Sequence, residues 1–157
     1  IPLVDSSSMK SENDEEELII NLKAISQDAK DLGISIGLET DYPPQKILKL
    51  LKKIDDDNIV LNYDIGNSVS LGFDPKEELT LLGKYIKNIH IKDRKIHGST
   101  VPFGEGDVDF DLFFSTLKDI DYKGDLILQG ARIENESPEI TCLKYRDFVL
   151  KYIERYF

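Results

Sequence analysis

The sequence predicts an α/β fold of five βα units on a parallel sheet, and three observations predict it. Short apolar runs alternate five times with stretches whose apolar residues recur at helical spacing. The connections after the runs are mostly short, as βα units require. Four successive runs end on a polar residue: Glu39, Asp64, His90 and Gln129. This spacing suits either a (β/α) barrel or a doubly wound sheet. No Gly-rich fingerprint follows the first run, which weakens the dinucleotide-binding version.

In order, Ile1-Pro2-Leu3-Val4 reads as the end of a buried strand. After the acidic run from Ser11 to Glu17, residues Leu18 to Ile20, Leu22, Ile25, Ala29 and Leu32 are spaced for an amphipathic helix, closed by Gly33. Ile34 to Leu38 is the second strand, with Glu39 at its end. Pro43 and Pro44 are placed to start a helix whose buried stripe is Ile47, Leu48, Leu50, Leu51 and Ile54. Ile59 to Tyr63 is the third strand, ending at Asp64, and a loop from Ile65 leads to Pro75. The helix beginning there turns Leu79, Leu81, Leu82 and Tyr85 inward.

The fourth strand carries Ile89-His90-Ile91 and opens the stretch Ile86 to Phe110. A basic cluster (Lys92, Arg94, Lys95, His97) follows, then Phe103-Gly104-Glu105-Gly106-Asp107. A loop of this length without secondary structure of its own is uncommon unless functional. The next helix holds Phe110, Leu112, Phe113, Phe114 and Leu117. The fifth strand is Asp125 to Leu128, ending at Gln129. The last helix starts near Pro138 and carries Leu143, Phe148, Val149, Leu150, Ile153 and Phe157.

The chain has 157 residues, 40% hydrophobic and 32% charged, enough for one domain with a proper core. No apolar run reaches the roughly 18 residues of a membrane span. The single cysteine, Cys142, is expected to be a reduced core or helix-face thiol, and a cytoplasmic location is the expectation. A net charge of −10 repels phosphate backbones, so nucleic acid is excluded as a partner.

In a parallel βα sheet the carboxyl ends of the strands lie on one side, where active sites of barrels are built. Glu39, Asp64, His90 and Gln129 would meet there. Two carboxylates, an imidazole and an amide oxygen form a plausible ligand set for Mn²⁺, Mg²⁺, Co²⁺ or Zn²⁺. The bland reading is that strand ends carry polar residues because they meet water. It weakens when four matching positions do so together.

These residues carry a resemblance. The chain resembles the sugar phosphate isomerase/epimerase family of xylose-isomerase-like TIM barrels, especially its hexulose-6-phosphate isomerase and L-ribulose-5-phosphate 3-epimerase branch. IPLVDSS looks like the family's fourth strand, GLETD its fifth, NYDIGNS its sixth, HIKD its seventh and VPFGEGDVDF the loop after it. The last motif is the most specific. The resemblance implies a partial TIM barrel over residues 1–157, with metal ligands at Glu39, Asp64 and His90 and Gln129 in fourth place. It also implies a small-molecule sugar or sugar phosphate as substrate.

Two departures qualify what the resemblance implies. The family's usual residue at position 129 is glutamate, which pairs with the Glu39 equivalent on opposite faces of the substrate carbon. Glutamine has no titratable proton at neutral pH, so two-face epimerisation loses a partner. One-base aldose–ketose isomerisation through an enediol survives, with Glu39 as the base. A metal would acidify the C–H beside the carbonyl. The second departure is length, since a complete barrel takes about 250 residues and eight units. The chain is therefore expected to be the C-terminal part of a longer product, and self-association covering the exposed face is expected. An inactive sugar-phosphate-binding or scaffold domain is the alternative function.

Loops after the last two strands of such barrels commonly hold a phosphate. Lys92, Lys95, His97, Glu105 and Arg132 are the candidate substrate contacts, with Lys92 or Lys95 neutralising developing charge. The bland alternative pairs Lys92 and Arg94 with Asp93, Glu105 or Asp107. Asn67 either binds a sugar hydroxyl or caps its turn. The endonuclease branch of the superfamily needs more histidines than the two present and a basic groove.

Overall fold

The computed structural model describes all residues, Ile1–Phe157. Thirteen elements follow in order: β1 (Pro2–Leu3), α1 (Glu12–Asp31), β2 (Ile36–Thr40), α2 (Pro44–Ile54), β3 (Ile59–Asp64), α3 (Ile65–Ser70), α4 (Pro75–Leu82), β4 (Ile86–Ile91), β5 (Asp93–Arg94), β6 (Thr100–Val101), α5 (Phe110–Asp119), β7 (Asp125–Leu128) and α6 (Pro138–Tyr156). The main sheet is parallel throughout, in the order β1-β2-β3-β4-β7. Five parallel strands interleaved with helices form the TIM-barrel-like architecture expected from the sequence.

Local chemistry places the helix starts. Ser11 and Asp14 form a reciprocal capping box on α1. Asp74, Asp109 and Ser137 accept from backbone N–H groups at the starts of α4, α5 and α6, and Pro75 and Pro138 sit at first helical positions. No helix is long and apolar enough to cross a membrane.

Strand alternation divides each strand between two faces. Leu38, Leu61, Tyr63, Ile89 and Ile91 turn toward the helices and are buried, as are Phe113, Phe114 and Leu117 of α5. The opposite, inner face carries Glu39, Asn62, Asp64, Asn88 and His90. It is open, with Ile127 of β7 46% exposed on it. A hollow of about 580 Å³ lies on this face, lined by Gly37, Glu39, Asn62, Asn88 and His90 among others. β1 and β7 are the two edges.

Several expectations need correction. The first strand is Pro2–Leu3 rather than four residues. The stretch after Asp64 is not a loop but α3, because Asp64 caps it by accepting from the Asn67 N–H at 2.8 Å. The long loop after β4 has structure of its own, an antiparallel pairing of β5 with β6. Its organiser is Asp93, fully buried, which accepts from the backbone N–H groups of Gly104 (2.8 Å), Gly106 (2.9 Å) and Val108 (3.3 Å). Phe103 anchors the same loop, stacked on Tyr145 with ring centroids 4.0 Å apart. Leu143 and Leu150 of the last helix, Phe157 just beyond it, and Ile20, Ile25 and Leu32 of the first segment are exposed rather than packed. Cys142 is an exposed helix-face thiol.

Candidate metal and substrate site

Register brings the strand ends together. Asp64 pairs with His90 across β3 and β4, and β2 lies beside β3 with Leu38 opposite Leu61. A register shift between Leu61 and Asn62 brings Asn62 opposite Asn88, two residues before the Asp64–His90 pair. Side chains two apart share a face, so Asn62 and Asp64 of β3 meet Asn88 and His90 of β4, with Glu39 from β2.

One ligand atom each from Glu39, Asp64 and His90 lies within 4.8 Å of the others. His90 Nδ1 is 3.6 Å from Glu39 Oε2 and 3.9 Å from Asp64 Oδ2. The neighbours hold these groups in place. Asn62 Nδ2 donates to Glu39 Oε2 at 2.8 Å and lies 3.3 Å from His90 Nδ1. Asn88 donates in turn to the Asn62 amide oxygen. Asn67 Nδ2 donates to Glu39 Oε1 at 3.0 Å, and Arg94 Nη1 donates to Asn67 Oδ1 at 2.8 Å. Arg94 is fixed from behind by donating Nη2 to the Gly98 carbonyl at 2.7 Å.

Asp64 has divided duties. Its Oδ1 caps α3, while its buried Oδ2 accepts no hydrogen bond of good geometry. Lys92 Nζ stands 2.9 Å from Oδ2 as an ion pair outside hydrogen-bond alignment. A buried carboxylate oxygen normally carries hydrogen bonds or a counter-cation, and here the counter-cation at hand is Lys92. Two carboxylates and one imidazole are a hard, mixed O/N donor set that suits Mn²⁺, Mg²⁺, Co²⁺ or Zn²⁺. The residues therefore fit a divalent ion.

Behind the site lies a second, buried carboxylate. Glu78 of α4 accepts from the Tyr63 hydroxyl at 2.9 Å and from the Ser68 hydroxyl. Burial pushes its carboxyl up to about 7, against the two hydroxyl donors that favour the charged form. Tyr63 and Ser68 directly adjoin Asp64 and Asn67, so Glu78 ties α3 and the end of β3 to α4 from the helix side.

Of the residues singled out in the sequence, Glu39, Asp64, His90, Asn67 and Lys92 come together. Asn67 is not the cap of its turn: Asp64 caps its N–H, and its side chain instead spans Glu39 and Arg94. Lys92 pairs with Asp64 rather than with the loop acids. Gln129 follows the edge strand β7, donates its N–H to the Ile91 carbonyl at 2.9 Å, and leaves its side chain exposed. Lys95, His97, Glu105 and Arg132 are exposed and make no hydrogen bond to the cluster. Lys95 faces Asp107 at 3.7 Å. His97 adopts a left-handed conformation, φ 54°, with its N–H on the Ser70 carbonyl. Asn62, Asn88 and the anchoring role of Asp93 escaped the sequence reading. Counting back by twos from Asp64 and His90 would have found the two asparagines.

Known proteins share this arrangement of strands. The model of the xylose isomerase-like TIM barrel family matches residues 3–141. An L-ribulose-5-phosphate 3-epimerase, UlaE, from Shigella boydii is 32% identical over 134 residues, spanning 82% of this chain and 47% of that protein. An inosose dehydratase from Clostridium tetani is 26% identical and spans 98% of this chain and 58% of its own. Among solved structures, the IOLI protein with a bound zinc atom superposes with a TM-score of 0.82 at 22% identity, over 99% of this chain and 62% of that one. The chain thus spans about half the length of the curated relatives it matches.

Proposed function

From the premise that this chain belongs to the xylose isomerase-like TIM barrel family, we propose that it carries the metal centre of a sugar or sugar phosphate isomerase/epimerase. The observation that carries this reading is the Glu39–Asp64–His90 cluster at the carboxyl ends of three adjacent strands, where one ligand atom from each lies within 4.8 Å of the others. The epimerase named among the relatives and the zinc atom named with a structural neighbour support it.

Glu39, Asp64 and His90 would hold the ion, with Gln129, the residue after β7, contributing an amide oxygen. A divalent ion there supplies Lewis-acid polarisation of a sugar carbonyl. Glu39 is the base. Its carboxylate, held between Asn62 and Asn67, moves a proton between adjacent carbons of the open-chain sugar. Lys92 and Arg94, both turned toward Asn67, neutralise the charge that develops on substrate oxygens. Lys95, His97, Glu105 and Arg132 lie on loops at the same end of the sheet and are proposed to meet the remote, phosphate-bearing end of the substrate.

Isomerisation is favoured over epimerisation because Gln129 has no proton to deliver to the second face. Incubating the Mn²⁺-loaded protein with pentulose and hexulose phosphates tests this directly. Aldose–ketose interconversion that falls at least about 10²-fold in Glu39→Gln supports the reading, and epimerisation should emerge in Gln129→Glu. Sugar phosphate binding without turnover would favour the inactive binding domain.

A further inference from the structure

Lys92 follows β4 by one residue, and the alternation that turns His90 to the inner face turns Lys92 the same way. Its ammonium lies 2.9 Å from Asp64 Oδ2 and 3.3 Å from Asn67 Oδ1. The lysine side chain is 14% exposed and that of Asp64 only 1%. The fold makes room for this placement. A Cβ added to Gly66 would fall 2.7 Å from Lys92 Cγ and 2.8 Å from its Cβ. Gly66 has no positive φ, so its glycine serves space rather than backbone freedom. The lysine stem fills that space and is aimed along the start of α3 at Asp64.

With Oδ1 committed to the Asn67 N–H, the ammonium is the side-chain nitrogen nearest Oδ2, since His90 Nδ1 is 3.9 Å away. A dehydrated carboxylate is poorly tolerated without a counter-charge. The oxygen that a metal would need is thus the oxygen Lys92 holds. An ammonium and a divalent ion about 3 Å from one oxygen repel each other strongly in so dry a setting.

We propose that Lys92 is a resident counter-cation of the cluster, which occupies Asp64 Oδ2 in the metal-free protein and must yield it to a divalent ion. This rests on the metal-binding reading above. Asn67 Oδ1 already lies within reach of Nζ, and Asn67 is bonded to Glu39. A displaced ammonium therefore stays beside the site, on the side from which Arg94 also approaches. Lys92 weakens metal binding in exchange for pairing the buried carboxylate.

The test is calorimetric titration with Mn²⁺ at fixed pH and salt, on the wild type, Lys92→Met and Lys92→Gln. Circular dichroism establishes that each variant is folded. Both variants are expected to bind Mn²⁺ about tenfold or more tightly than the wild type, and to gain more thermal stability from it. Equal or weaker binding by the folded variants overturns the inference and leaves the metal reading standing. A Lys92→Met chain that unfolds without metal should refold on adding Mn²⁺, and failure to refold counts against it. No uptake by any of the three chains removes the metal reading and this inference with it.

Discussion

The two flanks of β4 are built differently at the carboxyl end of the sheet. On the β3 side, His90 faces Glu39 and Asp64, and each of those carboxylates is fixed by an amide of Asn62 or Asn67. On the β7 side, Gln129 has only its backbone tied to the neighbouring strand, and Arg132 beyond it is exposed. β3 is an interior strand with partners on both sides, whereas β7 is an edge. Preorganisation of a site follows from neighbours, and an interior strand has twice as many to recruit. The metal reading accordingly stands firmest on the β3 flank.

The largest break lies beneath both flanks, at Asp93. Replacing it by Ala leaves three part-buried backbone N–H groups without their acceptor and frees the loop that crosses from β4 toward α5. Losing this fully buried acceptor costs about 2–3 kcal/mol, read as a lower denaturant midpoint with an unchanged slope. A loss below about 1 kcal/mol would show that Phe103 and its aromatic neighbours hold the loop alone.

Of similar size is the effect of Glu78, which braces the β3 flank only. Its folded-state value of about 7 lies above the ordinary 4.5, because burial outweighs the hydroxyls of Tyr63 and Ser68, with the Glu77 and Asp74 carboxylates adding to the rise. The folded protein therefore keeps a proton that the unfolded chain releases. That contribution to stability is complete below pH 4.5 and is lost as pH rises through about 7. Glu78→Gln removes the dependence. Its stability relative to the wild type should rise by roughly 3 kcal/mol between pH 4 and 8, followed by chemical denaturation across that range. Parallel curves for the two proteins would mean that Glu78 does not titrate there.

Effects on metal affinity sharpen the same contrast. Asn62→Ala removes a donor to Glu39 and should weaken Mn²⁺ binding about 10–100-fold. Gln129→Glu should strengthen it by a smaller factor, since a carboxylate replaces an amide oxygen. Unchanged affinity in Gln129→Glu would place the β7 flank outside the ion's reach and leave Glu39, Asp64 and His90 as the whole set.

Much of this was legible in the sequence for a physical reason. Strand ends in a parallel sheet must share one side, so Glu39, Asp64 and His90 were bound to converge once the five units were recognised. Helix starts were legible at Pro44 and Pro75, where a fixed φ does the work locally. Other features depend on distant partners. α3 forms because Asp64 caps it, though IGNS has weak helix propensity. Asp93 reads as a surface loop acid until the chain folds back to give it three N–H donors. The apolar residues Leu143 and Leu150 match helical spacing yet are exposed, because a helix stripe shows that something should cover it and not what does. The loop cations show the same limit, as Lys92 and Lys95 are three apart in sequence but only Lys92 points into the site.

The central claim is that the ends of β2, β3 and β4 form one divalent metal site. Metal content by mass spectrometry after incubation with Mn²⁺ or Zn²⁺ and removal of free ion tests it most directly, on the wild type and on His90→Ala. About one ion per wild-type chain, absent from a folded His90→Ala variant, is the predicted result. A wild-type chain that stays free of metal, or a His90→Ala variant that holds as much, would contradict it.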